Sequence, residues 1–310
     1  MINKANLILS EIKKVIVGKD DIIKKVLMAI LANGHILLED VPGVGKTTLA
    51  RSFSKVMSLN YQRIQFTPDT MASDIIGFSI YNRNTGNLDY QKGAAFCNLL
   101  LADEINRTSS KTQSALLEVM EEKSITVDGE THFLPEPFIC IATQNPIGSA
   151  GTHVLPDSQL DRFMIRLSMG YPTVDNQVEI IKNRQKENPL ESVVTVVSQE
   201  DILEMQARVA SVFAEDDIIR YTAELCQTTR EWADVDHGIS PRGVNAVIKM
   251  AKADAFLNDR DYLIPEDVQA VFLDVCCHRI HLKPQAKIRK ELPQKILMDV
   301  LSHVEAPSII

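Results

Sequence analysis

Aromatic residues are scarce: they make up 5% of the 310-residue chain, with a single Trp. Leu, Ile, Val and Met must therefore fill any core, and at 45% apolar residues the chain has enough of them. Long apolar runs are also missing. The longest, such as residues 26–32, fall well short of the roughly 20 residues that cross a bilayer, so no membrane insertion is expected. Residues 1–14 carry a helical pattern, without the apolar stretch and small-residue cleavage site of a signal peptide. A basic excess is absent too. The net charge is -8, whereas a free-standing nucleic-acid binder usually presents a basic face, so nucleic acid is not the expected partner. The five cysteines, at 97, 140, 226, 276 and 277, form no CxxC pair. An odd count without framework spacing points to reduced thiols and a cytoplasmic setting. Cys276, Cys277, His278 and His281 are read as helix rather than metal site, because neighbouring cysteines on a helix diverge. Low-complexity segments and internal repeats are absent as well.

What is present begins with an alternation. Residues 35–38, 63–66, 99–103, 138–142 and 163–167 read as short apolar strands. Helices fall between them, among them residues 47–57 and 111–122, the second with Ala115, Leu116, Val119 and Met120 on one face. This order predicts an α/β fold, a parallel sheet with helices on both faces. After Pro172 the strand signals fade. Residues 198–211, 215–232, 241–256 and 265–279 read as helices, which predicts a small all-α domain. The link is placed at residues 186–195, dividing the chain into 1–190 and 191–310. Two hairpins interrupt the first part. One spans residues 78–93 around Thr85-Gly86, and one spans residues 124–134 with Asp128-Gly129 at its tip, a pair suited to a type I′ turn.

Chemistry is concentrated in Asp40-Val41-Pro42-Gly43-Val44-Gly45-Lys46-Thr47, with Thr48 beside it. Strand, glycine-containing loop, Lys-Thr and helix follow one another as a P-loop requires, although Asp40 stands where the pattern has its first glycine. Gly43 and Gly45 let backbone N–H groups close on phosphate, Lys46 reaches the β- and γ-phosphates, and the Thr47 hydroxyl suits Mg²⁺. The strand at 99–103 ends in Asp103-Glu104. Asp103 is the candidate Mg²⁺ holder and Glu104 the group that orients and polarises an attacking water.

These two elements stand beside Ala142-Thr143-Gln144-Asn145-Pro146, Leu160-Asp161-Arg162-Phe163 and Gly238-Ile239-Ser240-Pro241-Arg242. Together they resemble the AAA+ ATPases. Residues 37–47, 65–69 and 101–107 look like signatures of the MoxR family within them, a family that accepts Asp at position 40. The resemblance implies an AAA+ P-loop core with a helical lid, an ATP- and Mg²⁺-dependent hydrolase, and a homo-oligomeric ring, usually a hexamer. It implies Asn145 as sensor 1, on a strand between the P-loop strand and the Asp103 strand. It implies Arg242, at the start of a lid helix capped by Ser240, as sensor 2 closing on the γ-phosphate of its own subunit. Arg162 resembles the arginine finger given to a neighbouring subunit, with Arg166 as the weaker candidate and an intrachain ion pair as the plain alternative. Val17 and Gly18 fall where adenine would lie. Both hairpins would face the pore; they carry Tyr81, Arg83, Tyr90, Asp128, Glu130 and His132. The expected role is chaperone-like remodelling of a client protein, beside a partner with a von Willebrand A domain. A nucleic-acid motor related to replicative helicases and a chelatase motor subunit stay open as alternatives.

Overall fold

The computed structural model describes residues 1–145, 155–186 and 188–308. Pro146, and Glu187 in the expected link, lie outside these. Two helices lead, α1 (Ile2–Lys13) and α2 (Asp20–Leu31). The core follows as β1 (Ile36–Glu39), α3 (Lys46–Val56), β2 (Tyr61–Gln65), α4 (Ala72–Ile76), β3 (Phe78–Tyr81), β4 (Leu88–Gln91), β5 (Leu99–Asp103) and α5 (Ser110–Glu122). It continues with β6 (Ser124–Val127), β7 (Glu130–Phe133), β8 (Ile139–Gln144), α6 (Asp157–Leu160), β9 (Ile165–Leu167), α7 (Val174–Lys186) and α8 (Pro189–Ser192). The rest is mainly helical: α9 (Gln199–Ser211), α10 (Asp216–Glu231), β10 (Val235–His237), α11 (Pro241–Leu257), α12 (Pro265–Cys276), β11 (His281–Leu282), α13 (Pro284–Ile288) and α14 (Pro293–His303).

Five strands form one parallel sheet in the order β2-β5-β8-β1-β9. Period-two alternation explains why β5 is apolar from Leu99 to Ala102. Leu99 and Leu101 enter the core on one face, with α1, α2 and α3; Leu100 and Ala102 enter the core on the other, with Leu116, Leu117 and Met120 of α5. Both faces are thus covered, as expected from the sequence. The first core runs on without a break into the helices after residue 198, through Met205, Val247 and Phe272. Ser240 caps α11 by accepting the Gly243 N–H at 3.1 Å, and Pro241 fills the first helical position.

Some elements differ from the expectation. Helix α7 was not foreseen; its Val174, Val178 and Ile181 stand largely exposed, so it lacks the buried stripe that marks a core helix. Helix α12 stops at Cys276 rather than Arg279. The chain there turns inward to bury His278 and Arg279, then pairs His281–Leu282 with β10, a contact too distant in sequence to leave a local signal. Cys276, His278 and His281 point to different neighbours: Cys276 meets Cys226, His278 Nε2 meets the Phe163 carbonyl at 3.1 Å, and His281 meets Asp157 at 3.3 Å.

The hairpins form as the turn residues dictate, with Asp128 and Gly129 at φ +51° and +83°. They are joined to each other. The Tyr90 ring stacks on His132 at 4.1 Å, Phe96 meets both rings edge-on, and the Tyr90 hydroxyl donates to the Ile76 carbonyl. Tyr90 is therefore a joint rather than a free contact.

Candidate active site

The loop from β1 into α3 is a cradle. Gly43 and Gly45 have φ of +88° and +98°, values a side chain resists, and a Cβ at Gly43 would project into open space. Gly45 is the N-cap of α3 and offers no side-chain cap, so the first helix N–H groups are left for an anion. Lys46 is buried, and its ammonium donates to the Asp40 carbonyl at 2.7 Å. Burial pulls its pKa below the ordinary lysine value, while the carboxylates of Asp40, Asp103 and Glu104 act the other way.

A cavity of about 600 Å³ opens beside this loop. Val17, Gly43, Val44, Gly45 and Thr48 line it, and so do Ile180 and Asn183 of α7. Pro42, Lys46 and Thr47 belong to the same loop and helix start without walling the cavity. Gly18 is not in the wall either; it sits at φ +70°, where a side chain would strike Asn176.

The acidic strand end lies two strands away in the sheet, and β8 between them places Asn145 at the gap. Asn145 accepts from the Asn106 side chain through its carbonyl at 3.1 Å. Thr143, one of the residues not singled out in the sequence, ties the carboxylates together. Its hydroxyl donates to Asp103 Oδ1 at 2.6 Å and accepts the Glu104 N–H at 2.9 Å. Glu104 has φ +59°, which turns its side chain out of the strand. Gln65 and Arg107 donate to its Oε2 at 3.0 and 2.8 Å. Arg63 donates to Asp103 Oδ2 at 2.8 Å. The open loop, the buried lysine and the cavity fit a nucleoside triphosphate. The Thr47 hydroxyl and Asp103 carboxylate offer the oxygen donors that suit Mg²⁺.

Arg162 and Arg242 lie elsewhere. Arg162 immediately precedes Phe163 and β9, at the N-terminal edge of the parallel strands, whereas the phosphate loop leaves their C-terminal edge. Arg242 reaches the same edge. Its guanidinium bonds Glu121 at the end of α5, and Arg162 Nε lies 3.3 Å from the other oxygen of that carboxylate, an ion pair out of line for a hydrogen bond. In this structure Arg242 thus stands at Glu121, away from the phosphate loop of its own chain. The cause is a weld one residue away: Asp161 takes the Ser240 hydroxyl at 2.9 Å and the buried Arg279 Nε at 2.7 Å, fixing the start of α11 to the loop before β9. Arg166 is engaged inside the chain, with Glu39 at 3.2 Å.

Comparison with known proteins gives the family. The family model described as "ATPase family associated with various cellular activities (AAA)" matches residues 35–165, and that described as "AAA lid domain" matches residues 227–300. The protein YeaC of Bacillus subtilis is 47% identical over 96% of this chain and 92% of its own. Chaperone MoxR1 of Mycobacterium tuberculosis is 38% identical over 96% of this chain and 81% of its own. A crystal structure of a protein from Cytophaga hutchinsonii matches with a TM-score of 0.93 and 38% identity, covering 99% of this chain and 96% of that one. A P-loop core, an acidic strand end and a helical lid, with these relatives along nearly the whole chain, show that it belongs to the MoxR family of AAA+ ATPases.

Proposed function

We propose that the protein is a Mg²⁺-dependent ATPase subunit that closes into a ring, a hexamer, and uses hydrolysis to remodel a client protein in the cytoplasm. The observation that carries this reading is the split of the chemistry over two edges of one sheet. Lys46, Glu104 and Asn145 gather at the C-terminal edge, and Arg162 and Arg242 gather at Glu121 on the other. In the single chain neither Arg162 nor Arg242 stands at its own phosphate loop; both are held at Glu121. A head-to-tail neighbour supplies them, and such heterologous contacts close into rings.

In this reading Lys46 and the α3 N–H groups hold the triphosphate. Thr47 and Asp103 would hold Mg²⁺, which when bound would neutralise phosphate charge. Glu104 orients and polarises water, Asn145 holds that water or the γ-phosphate, and the neighbour's arginines stabilise charge in the transition state. Both arginines act in trans, because the Asp161–Ser240 weld delivers them together. The division at residues 1–190 and 191–310 then separates the hydrolytic core from the part that carries Arg242. The partner with a von Willebrand A domain rests on the family resemblance alone.

The test uses two variants of the full chain. Glu104→Gln should bind Mg²⁺-ATP like the parent, lower turnover by about a hundredfold or more, and give a ring in light scattering with ATP. Lys46→Ala should lose nucleotide binding. Normal turnover by Glu104→Gln, or tight ATP binding by Lys46→Ala, contradicts the proposal.

A further inference from the structure

Asp40 occupies a place where phosphate loops of this pattern carry glycine, and it is buried. Its backbone serves the loop: the carbonyl takes the Lys46 ammonium at 2.7 Å, and the N–H donates to the Gln144 carbonyl at 3.2 Å. Its side chain serves something else. Oδ1 accepts the Ser168 hydroxyl at 2.9 Å and the Gly170 N–H at 3.1 Å, and Oδ2 accepts the Met169 N–H. All three donors belong to the turn after β9. That turn is a wall of the cavity, since Met169 and Pro172 line it together with Gly43, Gly45 and Thr48. The same turn leads straight into α7, which contributes Ile180 and Asn183 and is otherwise exposed on most of its surface.

We infer that Asp40 is a positioning residue that holds the base-side wall of the cavity against the phosphate loop, and so makes the site select a nucleotide over a bare polyphosphate. The inference rests on the reading of this cavity as the ATP site. The loop needs from residue 40 only a carbonyl and an N–H, which any residue other than proline supplies. Each of these side-chain hydrogen bonds goes to the wall, while the charge of the carboxylate also bears on Lys46. Asparagine keeps one acceptor oxygen but turns an amide NH₂ against a backbone N–H, so it loses part of the set. Glycine loses all of it and restores the residue usual in such loops.

The test compares two ligands by isothermal titration calorimetry on the full chain with Mg²⁺: ATP, and inorganic tripolyphosphate, which reports on the phosphate loop alone. Asp40→Asn and Asp40→Gly should weaken ATP by about tenfold or more without weakening tripolyphosphate, since the charge they remove opposes a polyanion. Ser168→Ala removes one donor without touching the loop. It should weaken ATP alone, by about two- to fivefold, and it decides the matter if the Asp40 variants do not fold. Equal weakening of both ligands, or unchanged ATP affinity in Asp40→Asn and Ser168→Ala, overturns the inference. Lys46→Ala distinguishes failure of the underlying reading: it should lose both ligands, and if it keeps both, the cavity is not the phosphate site and the inference falls with it.

Discussion

His35 has both ring nitrogens engaged by the fold. Nδ1 accepts the Cys140 N–H at 3.0 Å, and Nε2 faces the Met120 carbonyl at 2.8 Å, a pairing that assigns the proton to Nε2. Full burial pulls its pKa down from 6.5 to about 4, with the Met120 carbonyl opposing and Lys123 assisting. The consequence for stability has a definite sign. Between pH 6.5 and about 4 the unfolded chain takes up a proton that the folded chain refuses, so stability falls as pH falls through that window and is complete above it. The loss from this one group is of order 3 kcal/mol at the lower end. His278 is shifted in the same direction by burial and by Arg279. Urea denaturation at pH 7 and pH 4.5 should show the parent losing stability and His35→Gln losing clearly less of it between the two. Identical pH dependence in both proteins would remove His35 as a cause. At this scale the sequence was legible where chemistry needs contiguous residues, as in Gly43 to Thr47 and in Asp103-Glu104. It held Thr143 and Gln65 inside motifs without a role, and passed over Arg63. These reach the carboxylates from neighbouring strands, and strand register is a tertiary fact.

Among the elements, the two hairpins changed meaning most between sequence and structure. Their positions and the Asp128-Gly129 turn were readable, because turn chemistry is local. Their contact with each other was not, since it depends on which face of each strand is turned inward. With Tyr90 on His132, and Lys92 over the Phe96 ring at 5.2 Å, the outward surface left is mixed: Phe78, Ile80, Tyr81, Leu88 and Phe133 are all about half or more exposed, among exposed polar residues such as Asn84, Asn87 and Thr131. A nucleic-acid track would need several cations beside such rings, and the hairpins set Arg83 and Lys92 against Asp89, Asp128 and Glu130. A polypeptide with apolar side chains is the better match. Tyr81→Ala should therefore leave basal hydrolysis unchanged and reduce its stimulation by a client protein. Tyr90→Ala should instead destabilise the fold by about 1–3 kcal/mol, because it breaks the joint between hairpins. Thermal unfolding and steady-state hydrolysis with and without client separate the two. Stimulation by single-stranded DNA that is lost in Arg83→Ala would instead assign the hairpins to nucleic acid.

At the scale of the whole molecule, the question is which subunit owns which part of a site. The family resemblance implied Arg242 at its own subunit's phosphate. The fold places it with Arg162 at the opposite edge of the sheet, fixed there through Asp161, Ser240 and Arg279. Complementation between variants reads this directly. Arg162→Ala, Arg242→Ala and Glu104→Gln should each bind ATP, and each should hydrolyse it poorly; loss of a finger arginine typically costs about a thousandfold or more. When Arg162→Ala is mixed with Glu104→Gln, a site is whole wherever the first subunit supplies Glu104 and the second supplies both arginines. With free exchange and equal amounts that is half times half, so about one quarter of parent turnover should return if sites act independently. Arg242→Ala mixed with Glu104→Gln should recover to the same extent. Arg162→Ala mixed with Arg242→Ala should recover nothing, because no subunit in that mixture carries both arginines. If Arg242 served its own subunit's phosphate, this last mixture would recover about a quarter as well, since one chain would bring Arg242 in place and its neighbour an intact Arg162. The hydrolysis rate of that single mixture, with subunit exchange verified by labelled chains, thus decides whether the two arginines are delivered to a neighbour as a pair.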